Sequence, residues 1–157
     1  METQFATFYL GKDLFGVNIL LVREINRNFS VTPVEHAPAY VAGLMNLRGQ
    51  IVTALDLCVM LGMHKQAAAR AARVIILKTA QELAQKHADP ALVKAAPADF
   101  TGLIVGEMGD MVVADSGAIE RPPANIGGIQ EKYLIGVVKL EDRLVGILDI
   151  GTILTSA

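Results

Sequence analysis

The sequence predicts a mainly β domain built as two similar lobes with short helical turns, and three observations carry that prediction. First, Gly43-Leu-Met-Asn-Leu-Arg-Gly-Gln-Ile-Val-Thr-Ala-Leu-Asp-Leu57 aligns without a gap on Gly136-Val-Val-Lys-Leu-Glu-Asp-Arg-Leu-Val-Gly-Ile-Leu-Asp-Ile150, with Gly43/Gly136, Leu47/Leu140, Val52/Val145, Leu55/Leu148 and Asp56/Asp149 identical. Second, each copy reads as a hairpin: two β-rich runs flank Arg48-Gly49-Gln50 or Glu141-Asp142-Arg143, and Gly49 supplies the positive φ of a tight turn. Third, a weaker repeat precedes each hairpin, Gly16 to Ile25 against Gly102 to Met111, with Val22 over Met108 and Glu24 over Asp110. Two repeats are too few for a solenoid, so paired lobes are the expected architecture.

Taken in order, Gln4 to Leu10 alternates as a strand, with Phe5, Thr7 and Tyr9 on one face and Ala6, Phe8 and Leu10 on the other. Gly11-Lys12-Asp13 is a turn, and Leu14 to Asn18 returns as a second strand. Asn18 is placed to cap a short helix on which Ile19, Val22 and Ile25 fall at helical spacing. Val31 to Val34 reads as an edge strand because Pro33 has no backbone donor, and Ala37 to Ala42 as one helical turn. In the first hairpin, residues 51 to 57 are apolar on both faces, which predicts a central strand. Asp56 then caps Leu57 to Leu61, ended by Gly62. Gln66 to Ala72 is a connection, and Arg73 to Lys78 a strand buried on both faces. Ala80 to Asp99 reads as a surface insertion with a helical turn at Pro90 to Ala95. Strand character resumes over Phe100 to Met111, Val112-Val113 and Ile119. A Gly-rich loop from Asn125 to Tyr133 leads into the second hairpin, and Asp149 to Leu154 repeats the capped helical ending.

Composition narrows the function classes. At 157 residues and 52% apolar, with five Phe, three Tyr and no Trp, the interior must be built from aliphatic side chains. Fourteen basic against sixteen acidic residues give a net charge of −2 without a run of like charge, so neither a nucleic-acid footprint nor a polybasic membrane patch is present. The same lack of basic and aromatic residues argues against a single-strand-binding barrel. One cysteine excludes a disulfide framework, and no apolar run is long enough to span a bilayer, so a cytoplasmic protein is expected.

The residues that might carry chemistry each have a structural alternative. Cys58 with His36, His64 or His87 is the one nucleophile–base pairing available, but it lies in Leu57-Cys-Val-Met-Leu61, where an inert core thiol is the favoured reading. The histidines share no metal-binding spacing. Asp56 and Asp149 invite a reading as paired carboxylates, yet helix capping explains both at once. The glycines follow no phosphate-loop spacing, so no nucleotide is expected; taken with the histidine, cysteine and aspartate readings, no metal, cofactor or catalytic residue is expected. A pair between Glu24 and Arg48 would tie the first short helix to its hairpin, and the second copy, with Asp110 and Glu141, lacks it. The alternative is a solvated turn arginine.

The blocks Phe8-Tyr-Leu10, Val17 to Ile25, Val31-Thr-Pro-Val34, Ala37-Pro-Ala-Tyr-Val-Ala-Gly-Leu-Met-Asn-Leu-Arg-Gly-Gln-Ile-Val52, Leu55-Asp-Leu57, Arg121-Pro122 and Leu148-Asp149 together resemble the CheW family of chemotaxis coupling proteins over nearly the whole chain. The resemblance implies one domain, 1–157, of two five-stranded SH3-like barrel lobes sharing an apolar seam. Lobe one is expected at 14–73, and lobe two at 74–152 plus the strand 4–10. It implies a non-enzymatic adaptor that joins the cytoplasmic tips of methyl-accepting chemoreceptors to the regulatory domain of the histidine kinase CheA, and that is recruited to receptor arrays at the membrane without inserting into it. Carried over, the receptor-facing groove falls at Ile19, Val22, Glu24 and Asn46-Leu47-Arg48-Gly49, and a kinase-facing surface at Val105, Met108 and Met111. Departures are Thr53 where the family often has Pro, Gly106 where Asp is common, both expected inside strands, and the longer 80–99 segment. These leave open a coupler for a surface-motility or other chemosensory pathway; an enzyme using Cys58 is the outlying alternative.

Overall fold

The computed structural model describes residues 2–63, 72–123, 126 and 128–156. Its strands are β1 (Glu2–Leu10), β2 (Asp13–Asn18), β3 (Val22–Asn26), β4 (Val41–Leu47), β5 (Gln50–Asp56), β6 (Arg73–Leu77), β7 (Thr101–Val105), β8 (Val112–Asp115), β9 (Ile119–Glu120), β10 (Leu134–Lys139) and β11 (Leu144–Leu148). Short helices α1 (Leu57–Met60), α2 (Ala80–Gln85), α3 (Pro90–Ala95) and α4 (Ile150–Thr155) sit between or after them. The fold is mainly β, in two SH3-like lobes: one sheet has the order β3-β6-β7-β5-β4, the other β8-β1-β2-β11-β10-β9. The sixth strand of the second sheet, β9, is two residues long.

The internal repeat is realised register for register. β5 runs parallel to β7 with Ala54 opposite Gly102, and β11 runs parallel to β2 with Ile147 opposite Gly16, which is the alignment of both sequence repeats at once. The weaker repeat holds through the third strand of each lobe: Val22 pairs with Leu77 as Met108 bridges Phe8, and Asn26 pairs with Val74 as Val112 pairs with Phe5. Each hairpin carries an irregularity at the same place, Val41/Gly43 and Leu134/Gly136. The amide of Asp56 donates to the Tyr40 carbonyl (2.7 Å) as that of Asp149 does to Tyr133 (2.8 Å).

Sheet membership corrects the expected lobe boundaries. β2, expected in lobe one, pairs with β1 and β11, while β6 and β7, of which all but Arg73 were expected in lobe two, belong with β3 and β5. The five strands β3 to β7 are thus an insert between β2 and β8, and lobe two is a permuted copy whose first two strands come from the N-terminal end of the chain. Sequence order suggests two consecutive halves; hydrogen bonding across the sheet decides otherwise.

Alternation along the strands builds three cores. Phe5 of β1 points into a lobe-two cluster with Leu14, Val112, Val145 and Ile147, whereas Ala6, Phe8 and Leu10 point the other way. In lobe one, Val52, Ala54, Val74 and Ile76 form a private cluster while Leu55, Ile75 and Leu77 face away from it. The faces turned away meet in a shared seam, joined by Phe15, Leu57, Cys58, Leu103, Leu148, Ile150 and Ile153. Central placement of β5 and two-sided burial of β6 therefore hold as expected from their unbroken apolar runs.

Several local expectations change length or type. The helix capped by Asn18 is one 3-10 turn, Ile19–Leu21, after which β-branched Val22 and its neighbours enter β3. The edge strand at 31–34 shrinks to a single bridge, Thr32 to Leu44, because Pro33 ends the donor pattern. The turn expected over 37–42 is a single hydrogen-bonded turn, with the Val41 amide donating to Pro38 (2.9 Å). Strand character from Phe100 stops at Val105 rather than Met111. The 80–99 segment is more than a surface insertion: it forms two helices, of which α2 has a complete Thr79/Glu82 capping box and α3 begins at Pro90 behind Asp89. His64, residues 66–71 of the expected connection and Asn125 lie outside the described residues.

Candidate docking site

The β4–β5 hairpin closes through two residues, Arg48 (φ +50°) and Gly49 (φ +86°), with Leu47 paired to Gln50. Two consecutive positive φ values are what a tight hairpin needs to follow the strand twist. Gly49 accepts this freely, but Arg48 is held there against its Cβ, and the Gly49 amide donating to Asn46 Oδ1 (2.9 Å) braces the turn. The turn projects the guanidinium outward, where it forms an ion pair with the carboxylate of Glu24 on β3.

That pair reports on the shape of lobe one. β3 and β4 are the two ends of a five-strand order, about 19 Å apart at the usual ~4.8 Å spacing if the sheet were flat, which exceeds the combined reach of the side chains. The sheet therefore curls until its edges converge, and Glu24 and Arg48 bridge the closing edge. The hydrogen bond from Arg48 is the main cause holding Glu24 below the ordinary carboxylate range, offset in part by burial. The Arg48 side chain remains 68% exposed, so the pair adds little to stability and serves to aim a donor fork at solvent.

The sequence-predicted residues separate into contact and support. Glu24, Asn46, Arg48 and Gly49 are joined at the tip by hydrogen bonds, whereas Ile19 is half-buried against the shared seam. Glu24 lies in β3, not at the end of a helix as expected, because the helix is only one turn long. Val22 is buried in the seam and Leu47 packs against the lobe-one core, so both support the surface from beneath. Sequence reasoning passed over Leu20 (52% exposed), Ile51 (57%) and Leu44 (38%). Leu44 and Ile51 share the outer face of the hairpin, diagonal to one another across the Leu44/Thr53 and Asn46/Ile51 pairs. Their signal was available in the period-two pattern, which puts Ile51 and Leu44 opposite the buried Val52 and Met45.

The lobe-two group is less even. Val105 is buried in the seam and offers no contact surface, because the end of β7 points inward. Met108 is half-buried and bridges Phe8. Met111 is 51% exposed and leads into the edge strand β8, where Val113 (52% exposed) also faces solvent while Val112 and Ala114 point into the core. Gly106, expected inside a strand, is buried just beyond β7, its amide donating to Tyr9 (3.0 Å); Thr53 lies within β5 as expected.

The alternatives for chemistry resolve into structure. Cys58 is buried in the seam, and burial pushes its thiol up to about 11, with the nearby Asp56 charge adding to the shift. Asp56 Oδ1 accepts from the Val59 amide (3.3 Å) and Asp149 Oδ1 from the Thr152 amide (3.1 Å), so both carboxylates cap helices. Among the described residues no three His, Cys, Asp or Glu side chains gather as a metal site, and no helix is long and apolar enough to cross a membrane. What the surface offers is two differently built edges, one on each lobe.

Comparison with known proteins agrees with this architecture. The chemotaxis protein CheW of Rhizobium meliloti (strain 1021) is 30% identical over 153 residues, covering 98% of this chain and 88% of its own, and that of Treponema pallidum (strain Nichols) is 29% identical over 155 residues, covering 99% and 84%. A solved structure, the scaffolding protein TtCheW from Thermoanaerobacter tengcongensis, matches with a TM-score of 0.77 at 25% identity, covering 98% of this chain and 88% of its own. The model of the CheW-like domain matches residues 4–157, and the chain belongs to that family.

Proposed function

We propose that this protein is a non-enzymatic chemotaxis adaptor of the cytoplasm, joining the tips of chemoreceptors to the regulatory domain of the histidine kinase CheA within receptor arrays. The observation that carries the reading is one body, matched to the family over nearly its full length, that presents a different exposed edge on each lobe. Lobe one offers the Arg48 fork fixed by Glu24, with exposed Leu44 and Ile51 on the same hairpin and exposed Leu20 on the turn that precedes β3. This is the receptor-facing side. Lobe two offers Val113 on the edge strand β8 and Met111 just before it, with half-buried Met108 upstream, as the kinase-facing side. A few apolar anchors with a polar rim suffice for such docking, and no catalytic group is needed.

Calorimetric titration with a receptor cytoplasmic tip fragment and, separately, with the CheA regulatory domain tests the assignment. Arg48→Glu should weaken receptor binding by about tenfold or more and leave kinase binding intact, and Val113→Glu should do the reverse. Unchanged receptor affinity in Arg48→Glu would refute the placement of that face, and wild-type binding to neither partner would refute the adaptor reading.

A further inference from the structure

We propose that the α2–α3 hairpin is a clasp that holds the two lobes at a fixed angle and is hooked to the strand bearing Glu24. The hairpin is part of lobe one, since it lies between β6 and β7, yet it packs on α4, which follows the last strand of lobe two. Leu83 of α2 is buried in the seam, and Leu92, Val93, Ala95 and Ala96 pack against the same cluster as Ile150 and Ile153 of α4. The α3–α4 approach is close: a Cβ added at Gly151 would stand 3.1 Å from Ala95 Cα. A cleft of about 450 Å³ runs beside it, lined by Ala91, Lys94 and Ala95 from α3 and by Gly151, Thr152 and Thr155 from α4, so a side chain added at Gly151 is placed between the two helices.

The hook is Arg23. The register of β3 against β6 slips between Val22 and Glu24, which leaves Arg23 as the extra residue of a bulge, and bulges redirect side chains. Arg23 forms an ion pair with Glu82, the same residue that closes the capping box of α2, and its guanidinium lies over the Phe100 ring at 5.0 Å. Successive residues of one strand thus reach the clasp through Arg23 and the hairpin tip through Glu24. For an adaptor, a fixed lobe angle fixes the relation of its two docking edges; that consequence rests on the function proposed above, whereas the clasp itself does not.

The test uses the full chain without partners, so its outcome is separate from that of the adaptor reading. Nitroxide labels at exposed Lys12→Cys in lobe two and Arg27→Cys in lobe one, with buried Cys58 left in place, report the inter-lobe distance by pulsed electron resonance. The parent should give one narrow distribution. Gly151→Leu, which forces α3 off α4, and Glu82→Gln, which releases the hook, should each broaden it or shift it, the first more. Should Gly151→Leu fail to fold, replacement of residues 81–96 by a Gly-Ser loop takes its place. An unchanged distribution in Glu82→Gln and in the α3-displacing variant would overturn the clasp and leave the hairpin as surface decoration.

Discussion

Gly43 is where the architecture can be tested most sharply. Its φ of +150° lies in a region that side chains rarely adopt, and a Cβ there would meet the Thr32 carbonyl oxygen at 2.2 Å and its carbon at 2.6 Å. Both neighbours are backbone, so nothing can rotate away. Gly43→Ala must either strain the strand, at about 1–3 kcal/mol, or break the two hydrogen bonds between Thr32 and Leu44 (2.8 and 2.9 Å), at about 0.5–1.5 kcal/mol each. Strain with partial loss of the bridge gives about 2–5 kcal/mol, a large share of the ~5–15 kcal/mol that stabilises a domain. Gly49→Ala is the control: φ is +86° but nothing lies within 4 Å, so only the backbone preference, about 1 kcal/mol, is lost. Urea unfolding followed by circular dichroism should give a lower midpoint for Gly43→Ala at unchanged slope, and melting should fall by roughly 2–4 °C per kcal/mol. If Gly43→Ala were no less stable than Gly49→Ala, the close approach of 32 to 43, and with it the reason for glycine at this position of the repeat, would be refuted.

Two further outcomes are expected. Glu24 has its folded pKa depressed, chiefly by the hydrogen bond from Arg48, so the pair's contribution is present above the unfolded glutamate value and is lost as pH falls through the lower folded value. Nitrogen NMR of the Arg48 side chain should show a transition centred below the ordinary glutamate range, and its persistence in Glu24→Gln would refute the pairing. Cys58, buried and with its pKa raised to about 11, should resist thiol reagents at neutral pH in the native protein and react on unfolding; rapid native labelling would reopen the cysteine-enzyme reading.

Much of this was legible because the relevant forces are local or periodic. Both Asp caps, the Gly49 turn, the interior placement of β5, the two-sided burial of β6 and the ungapped repeat follow from patterns a few residues long; the outer face of β5, where Ile51 is exposed, does not follow its apolar run. Helix α2 was also legible in Thr79-x-x-Glu82, a capping box hidden by the alanine-rich and lysine-rich look of the segment. Val105 and the lobe boundaries were not. Whether a valine at a strand end points into a seam depends on which sheet sits behind it, and sheet membership here is set by parallel pairings across about 130 positions for Gly16 and Ile147. Exposure of Leu20 is of the same kind: apolar type alone suggests burial, and only the finding that no described element covers it reverses that.

The two candidate faces occupy equivalent places in the repeat, which bears on how one chain could serve two partners. Glu24 corresponds to Asp110, Arg48 to Glu141 and Ile25 to Met111; Ile25 and Met111 are both exposed, at 37% and 51%. In lobe one the charges are opposite and satisfy each other. In lobe two both are acidic, so no pair can form, and the apolar residues Met111 and Val113 dominate the edge. A scaffold duplicated in shape has thus diverged in charge at the same two positions. Like-charge repulsion at lobe two would disfavour an acidic partner that the Arg48 fork accepts, which is discrimination by penalty as well as by contact. If the proposed assignment of this edge to the kinase holds, Asp110→Arg in the Val113→Glu background should therefore not restore kinase binding, because the edge presents apolar side chains rather than a charged clasp; restoration would show that charge, not apolar contact, selects the partner there.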